Sequence, residues 1–546
     1  MKALNISTYI LAGVMSCALF SCNESDFLTE VDPNNSSDLA YWKTASDVKA
    51  ALATVYNPIR SATYGYFGAY EGFQNMNVRA DDVFGTPGDD AETWAINICN
   101  NTPNTGRNNW GELYKGIQRA NVFIYKSENV PMDETIKRQM QGEAYFLRGF
   151  QYFLLAINYG QAVIHTQPTG LESGDGMKGL SSEAEVFAQA EADFLKAKEL
   201  LPESRPASEN GRVNKGTAIA YLGKTYVFEG KYTEAAAELK TIMQAPYTYD
   251  LMEKFEDNFR SDAEFNKESI FELNYDQYGA DGGEWTGGED ANSMMGSVLS
   301  NYFGPQGVGG WFKMQVNGYL IDEFVVEKRP EGSDSKWDKR LYTTCFFKYS
   351  DYGDVKADET WYHGVDFDFL WDACAKRTEK GEPDQPTIEG KPGRFLFKKL
   401  ACWWIDNGKG CTMYDNWEAK KNNYRVMRFA EVLLLHAEAC AQTGDLASAN
   451  ADLARIRERA GLASKTFNSK EELMKEIEHQ KLLEFPMEGK RFFDLKRWYS
   501  FDQLKQLFIA HKKQGVENFQ KKHLWLPIPQ NEINTNASLE QLPDWR

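Results

Sequence analysis

Tyr424-Arg425-Val426-Met427-Arg428-Phe429-Ala430-Glu431-Val432-Leu433-Leu434-Leu435-His436-Ala437-Glu438-Ala439 opens a helical pair. The pattern runs on from Ala437 to Gly461: Gly444-Asp445 marks an interhelix turn, and Ala447, Ala449, Leu453 and Ile456 fall on a second helix. Small residues stand where two helices would cross, and large ones fill the neighbouring gaps. Asn214 to Leu239 repeats the design with Ala218, Leu222, Gly223 and Tyr226, then Gly230, Tyr232 and Ala235.

Each copy resembles a tetratricopeptide unit, and residues 141–200 fit as a third, degenerate one. There Phe146, Phe150, Phe153, Leu154 and Ile157 recur every three or four residues, Gly160 stops the helix, and Ser182 with Glu185 forms a capping box for the next. A further helix is expected over Asp47 to Tyr56. Two or three separated repeats make a scaffold and not an array. The expected fold is therefore mainly α: one domain over residues 22–546, with a tetratricopeptide-like helical-pair scaffold over about 40–245 and 424–546. A long, irregular, loop-rich insertion over about 246–423 would carry the ligand site. That insertion holds Trp285, Trp311, Trp337, Trp361, Trp371, Trp403, Trp404 and Trp417 among many glycines. Residues 61–110 are also loop-like and aromatic, with Trp94 and Trp110.

Met1-Lys2 and the apolar run Ile6 to Phe20 read as a secretory signal, too short for a membrane span, so residues 1–21 would be removed. Leu19-Phe20-Ser21-Cys22 resembles a lipoprotein lipobox, with Phe20 where a small residue is usual; it implies acylation of Cys22 and a stable lipid anchor. The net charge of −18 and pI near 5.0 argue against nucleic acid or anionic lipid as partner. Of the eight cysteines, Cys99, Cys345, Cys374, Cys402, Cys411 and Cys440 remain after Cys17 and Cys22; their irregular spacing is no disulfide framework and leaves any pairing open.

Several ordered motifs carry a family resemblance. After the opening helix come Ile456-Arg457-Glu458-Arg459-Ala460-Gly461, then Leu483-Glu484-Phe485-Pro486-Met487-Glu488-Gly489-Lys490-Arg491-Phe492-Phe493-Asp494-Leu495-Lys496-Arg497-Trp498, then Leu526-Pro527-Ile528-Pro529 with Glu532. On the N-terminal side stand Asp26-Phe27-Leu28, Tyr41-Trp42-Lys43-Thr44, and Glu143 to Gly149 continuing through Asn158-Tyr159-Gly160. Together they resemble the SusD/RagB family of outer-membrane nutrient-binding lipoproteins. Gln161-Ala162-Val163-Ile164 replaces the Val-Pro turn common after Tyr-Gly. The resemblance implies a non-enzymatic protein, lipid-anchored on the outer face of the outer membrane. It would capture an oligosaccharide or polysaccharide and close over a SusC-like TonB-dependent transporter. The alternatives are an outer-surface glycoside hydrolase and a RagB-like protein with a peptide cargo.

A pyranose offers an apolar C–H face and a polar rim, so aromatic platforms with amide, carboxylate and guanidinium neighbours suit it. The family's aromatic platform, carried onto this chain, falls on Arg79 to Asn97 and Trp285 to Trp337. Trp94, Trp285 and Trp311 are the expected stacking rings, with Arg79, Asp81 and Asn97 as hydrogen-bonding partners and Tyr302 and Trp337 as further candidates. Glu484, Glu488, Arg491, Asp494 and Arg497 recur at three- and four-residue spacing, so a continuous helix would pair Glu488 with Arg491 and Asp494 with Arg497. Acids neutralised in this way do not form a catalytic pair across a cleft. The six histidines show no metal spacing, and Gly304 to Gly310 lacks a P-loop lysine or dinucleotide fingerprint. No cofactor is called for; the loop carboxylates leave room for a structural calcium, without an EF-hand signature.

Overall fold

Thr44 accepts a hydrogen bond from the Asp47 amide, and Asp47 returns one to the Thr44 backbone, a capping box that starts α1 (Ala45–Arg60). The computed structural model describes residues 41–61, 65–68, 72–86, 91–171, 176–275, 297, 299–308, 310–354, 366–378, 387–388, 390–401 and 422–546. The expected signal segment, Cys22, Trp285, Cys402 and Cys411 lie outside them. Helices α2 (Gly72–Val78), α3 (Ala91–Asn97), α4 (Arg107–Ser127), α5 (Glu134–Tyr159), α6 (Glu183–Leu200), α7 (Lys215–Phe228) and α8 (Tyr232–Ile242) follow. After the insertion come α13 (Phe429–Thr443), α14 (Leu446–Arg459), α15 (Lys470–Glu484), α16 (Arg491–Trp498), α17 (Phe501–Ala510) and α18 (Gln530–Thr535). The insertion itself holds α9 (Leu299–Phe303), α10 (Gly318–Val325), α11 (Lys339–Thr344) and α12 (Phe367–Thr378).

The expected helical pairs are present. The scaffold runs by neighbour contact from α1 to α4, α5, α6, α7, α8, α13 and α14, so the fold is mainly α. Gly160 (φ 74°) ends α5, Ser182 and Glu185 form the capping box of α6, and Gly444 (φ 88°) turns the chain between α13 and α14. Small residues do sit at the crossings. A Cβ on Gly223 of α7 would lie 2.5 Å from Leu239 Cγ of α8, and one on Gly149 of α5 would lie 2.9 Å from Asp193 Cβ of α6.

Strands occur among the described residues as four antiparallel pairs: β1 (Val83–Gly85) with β3 (Met314–Val316), β2 (Ser269–Leu273) with β8 (Tyr424–Arg428), β4 (Cys345–Phe346) with β7 (Leu396–Phe397), and β5 (Thr387–Ile388) with β6 (Lys391–Pro392). The β2–β8 pair closes the base of the insertion, Leu273 opposite Tyr424.

A buried ionic knot ties the insertion to the scaffold. Arg428 donates to Glu268 (2.6 Å), Glu484 (2.8 Å) and Glu488 (2.7 Å); Lys399 reaches Glu488 at 2.6 Å, and Arg340 lies 3.2 Å from Glu484. Arg459 also pairs with Glu268 and Glu484. Burial lowers the Lys399 ammonium to about 8 despite these acids. The expected Glu488–Arg491 pair does not form, because α15 ends at Glu484 and the helix is interrupted before Arg491, with Met487 (φ 62°) and Gly489 (φ 66°) in left-handed conformation. Asp494 and Arg497, both inside α16, do pair, at 2.7 Å.

Candidate functional site

β1 and β3 bring the two expected binding regions together. Phe84 lies opposite Gln315, and the ladder continues past Gly85 through Thr86 N donating to Lys313 O (2.9 Å) and Thr86 Oγ1 to Phe312 O (2.6 Å). The short helix α3 packs on this end of β1. A Cβ on Gly85 would touch Thr93 Cγ2 at 3.6 Å and Asn97 Cβ at 3.9 Å. Trp94, next to Thr93, is half-buried.

Trp311 reaches the same end from the other strand. It is half-buried and meets Tyr302 edge-on, with ring centroids 6.2 Å apart and planes at 69°. The loop before it folds tightly: Gly310 N donates to Pro305 O, Phe312 N to Gly304 O and Lys313 N to Tyr302 O, each at 3.0 Å. A Cβ at Gly310 would stand 2.1 Å from the Gly304 carbonyl oxygen, so no other residue fits. Phe312 is buried and adopts φ 51°, a strained conformation for an aromatic residue, directly after Trp311. The same loop rests on α12, where a Cβ on Gly307 would lie 3.0 Å from Phe369 Cε1. Phe369 is 55% exposed, an unusual state for a phenylalanine.

Five expected ligand contacts are buried and must be corrected. Arg79 lies 4.2 Å from the Phe492 ring centroid and donates to Asn158 Oδ1 (3.2 Å) and the Leu524 carbonyl (3.0 Å); burial lowers its guanidinium to about 10. Asp81 is gripped by Arg491 and by His511 Nδ1 (2.6 Å). Burial would raise its carboxyl, but the Arg491 charge and the hydrogen bonds from His511 and Arg491 outweigh it and hold it well below the usual carboxylate range. Asn97 accepts from Gly85 N (3.2 Å) and donates to Gln514 Oε1 (2.8 Å). Tyr302 underlies Trp311, and Trp337 is packed against Phe347 and Tyr352. With their polar atoms satisfied and their rings covered, these residues carry the surface and do not form it. Trp94 and Trp311 are only half-buried, and Phe369 is exposed beside the Trp311 loop. In Phe367-Asp368-Phe369-Leu370-Trp371, a helical reading puts Phe367 and Trp371 on one face and Phe369 on another, a signal present in the spacing.

Two sequence-family models match the chain: one described as the SusD family over residues 267–545, the other as starch-binding and associating with the outer membrane over residues 26–227. The SusD-like protein P38 of Formosa agariphila is 27% identical over 526 residues, covering 91% of this chain and 92% of its own. A solved SusD superfamily protein from Bacteroides vulgatus shares the fold at a TM-score of 0.76 and 27% identity, over 92% of this chain and 100% of its own. A laminarin-binding SusD-like protein does so at 0.71 and 24%, over 92% and 99%.

Proposed function

Because this chain belongs to the SusD family, we propose that it is a non-enzymatic glycan-binding lipoprotein of the outer cell surface. It takes up oligosaccharide on a shallow platform made by Trp94, Trp311 and Phe369, with Trp285 as a further ring. It then hands the ligand to a SusC-like TonB-dependent transporter, over which it closes as a lid. Acylated Cys22 holds it in the membrane, and residues 22–546 act as one domain. The observation that carries the reading is the meeting of two tryptophan-bearing segments at one end of the β1–β3 pair, beside an exposed phenylalanine. Such rings suit the apolar face of a pyranose and need no deep pocket. The laminarin-binding relative and the starch-binding description of the N-terminal match support a glycan as cargo.

The hydrolase alternative has Asp82 in its favour. Burial, with Asp81 alongside, pushes the Asp82 carboxyl up to about 7, the range of a general acid. At 3% exposure, however, Asp82 leaves no space for a glycosidic bond between it and a second carboxylate.

Calorimetry on the chain from residue 23 onward, with laminarihexaose, maltohexaose and cellohexaose and chromatography of each ligand afterwards, tests the reading. Binding without cleavage is expected, weakened by about 1 kcal/mol in Trp94→Ala or Trp311→Ala. Cleavage that disappears in Asp82→Asn would establish the hydrolase instead, and binding to none of these glycans would overturn the glycan cargo.

A further inference from the structure

A cleft of about 370 Å³ opens on the scaffold, between the loop joining α6 to α7 and the loop joining α8 to β2. It is built from segments that contribute nothing to the β1–β3 platform. Its size falls within the range of small-molecule sites, about 300–1,000 Å³.

Tyr247 and Tyr249 line it together. They alternate with exposed Thr248, and their rings are nearly parallel, at 10°, with centroids 6.1 Å apart. Tyr249 is fixed by its hydroxyl, which donates to Asn214 Oδ1 at 3.1 Å, the side chain that also caps α7. The cations of the cleft are already engaged. Arg205 donates to Glu143 and Glu209 at 2.9 Å each, and Arg212 to the same two acids at 2.5 Å each. Lys267 is paired with Asp250 at 3.4 Å. The lining therefore offers no uncommitted positive charge to an anionic ligand. In contrast, the side chains of Ser204, Asn210 and Thr248 and the Tyr247 hydroxyl make no hydrogen bond among the described residues. Glu203 stands exposed at the cleft as well, but the uncommitted groups are mostly neutral, and aromatic faces beside neutral donors and acceptors suit an uncharged molecule with an apolar face and a rim of hydroxyls.

We propose that this cleft is a second oligosaccharide site, in which a neutral sugar rests on Tyr247 and Tyr249 and its hydroxyls bond to Ser204, Asn210 and Thr248. The proposal rests on the glycan-binding reading above and adds a second hold on the same class of ligand. A chain held at two points dissociates more slowly, because release of one contact leaves the sugar at high local concentration near it.

The test is binding stoichiometry of laminarihexaose, maltohexaose and cellohexaose to the chain from residue 23 onward. Two variants probe the cleft: Tyr247→Ala removes a ring, and Asn210→Trp fills the space from an exposed position without breaking a hydrogen bond. The double variant Trp94→Ala/Trp311→Ala removes the platform. Two sugars per chain are expected for one of these glycans, falling to one in either cleft variant and to one in the platform variant. The site lost should weaken at least tenfold. One sugar per chain, unaffected by both cleft variants and lost in the platform variant, would overturn the cleft and leave the glycan-binding reading standing. One sugar lost only in the cleft variants would support the cleft and overturn the platform. No binding of any of the three would overturn the cleft site together with the reading it rests on.

Discussion

Arg491 Nη2 lies 2.9 Å from Asp81 Oδ2 across 410 positions of sequence, and His511 Nδ1 closes on the same carboxylate at 2.6 Å. Asp81 stands two residues before β1, and its carbonyl accepts from Asn317 Nδ2 at 2.6 Å, one residue after β3. Asp81 thus ties the β1–β3 pair to the C-terminal segment, its carboxylate holding Arg491 and His511 and its carbonyl holding Asn317.

Asp81→Asn is expected to destabilise the protein by about 3–5 kcal/mol at neutral pH, because it leaves Arg491 buried without its counter-charge. The Asp81 pKa is lowered on folding, so the stabilisation is present above its unfolded value, near about 4, and is lost as pH falls below that. Urea unfolding of wild type and variant should therefore differ most near neutrality and converge in strong acid.

Phe369→Ala should weaken glycan binding by about 0.5–1.5 kcal/mol, the range of a lost aromatic contact. Its thermal stability should stay within about 0.5 kcal/mol of wild type, since the ring is already largely in solvent. Calorimetry beside a melting curve reads both, and a large stability loss with unchanged affinity would place the ring in the core instead.

Gly310→Ala should reduce affinity about as much as Trp311→Ala. The added methyl meets the Gly304 carbonyl at 2.1 Å and must displace the loop that orients Trp311. Titration of laminarihexaose into both variants compares them directly, and wild-type affinity in Gly310→Ala would separate the loop from the platform.

His436 and Asp452, 2.6 Å apart, join α13 to α14. Burial alone would lower the imidazole, but its hydrogen bonds to Asp452 and Cys440 outweigh this and push it up to about 9. Burial pushes the Asp452 carboxyl upward as well, which opposes the pair; the short contact favours the charged imidazole. A raised histidine stabilises below its unfolded value, near about 6.5, and that contribution fades as pH rises through about 9. His436→Asn should therefore cost on the order of 3 kcal/mol at pH 6 and much less at pH 10, read by urea unfolding at each pH.

The parts of this fold legible in the sequence are those fixed by neighbours. Gly160, Gly444 and the Ser182–Glu185 box act within a few residues, and the large residues of α5 and the small ones of α7 follow helical period. The ionic knot depends on side chains up to 191 positions apart, as for Arg459 and Glu268, and no local pattern announces it. Periodicity also failed between Glu484 and Arg491, where two left-handed residues break the helix that the spacing implied. The candidate site follows the same rule. Trp94 and Trp311 are half-buried, whereas Arg79, Asp81 and Asn97 have the donors and acceptors a sugar would want and spend them on Asn158, Arg491 and Gln514 instead. Phe369 sits in a helix whose period gave its exposure away only once the helix was recognised.

The closed base of the insertion makes it exchangeable. Leu273 faces Tyr424 across the β2–β8 pair, and Tyr275 N reaches Asn423 Oδ1 at 2.7 Å although 148 positions separate them. The excursion leaves and returns at one place, so its length is nearly irrelevant to the scaffold: doubling a loop costs only about 0.6 kcal/mol in closure entropy. Another excursion of different length and different rings could be spliced at the same two points. It would have to bring its own equivalents of Arg340 and Lys399, because Glu484 and Glu488 stay behind in the scaffold and require them. Those two cations, a partner strand for β1 and an acid for the buried Arg457 are then the connectors that any replacement must carry.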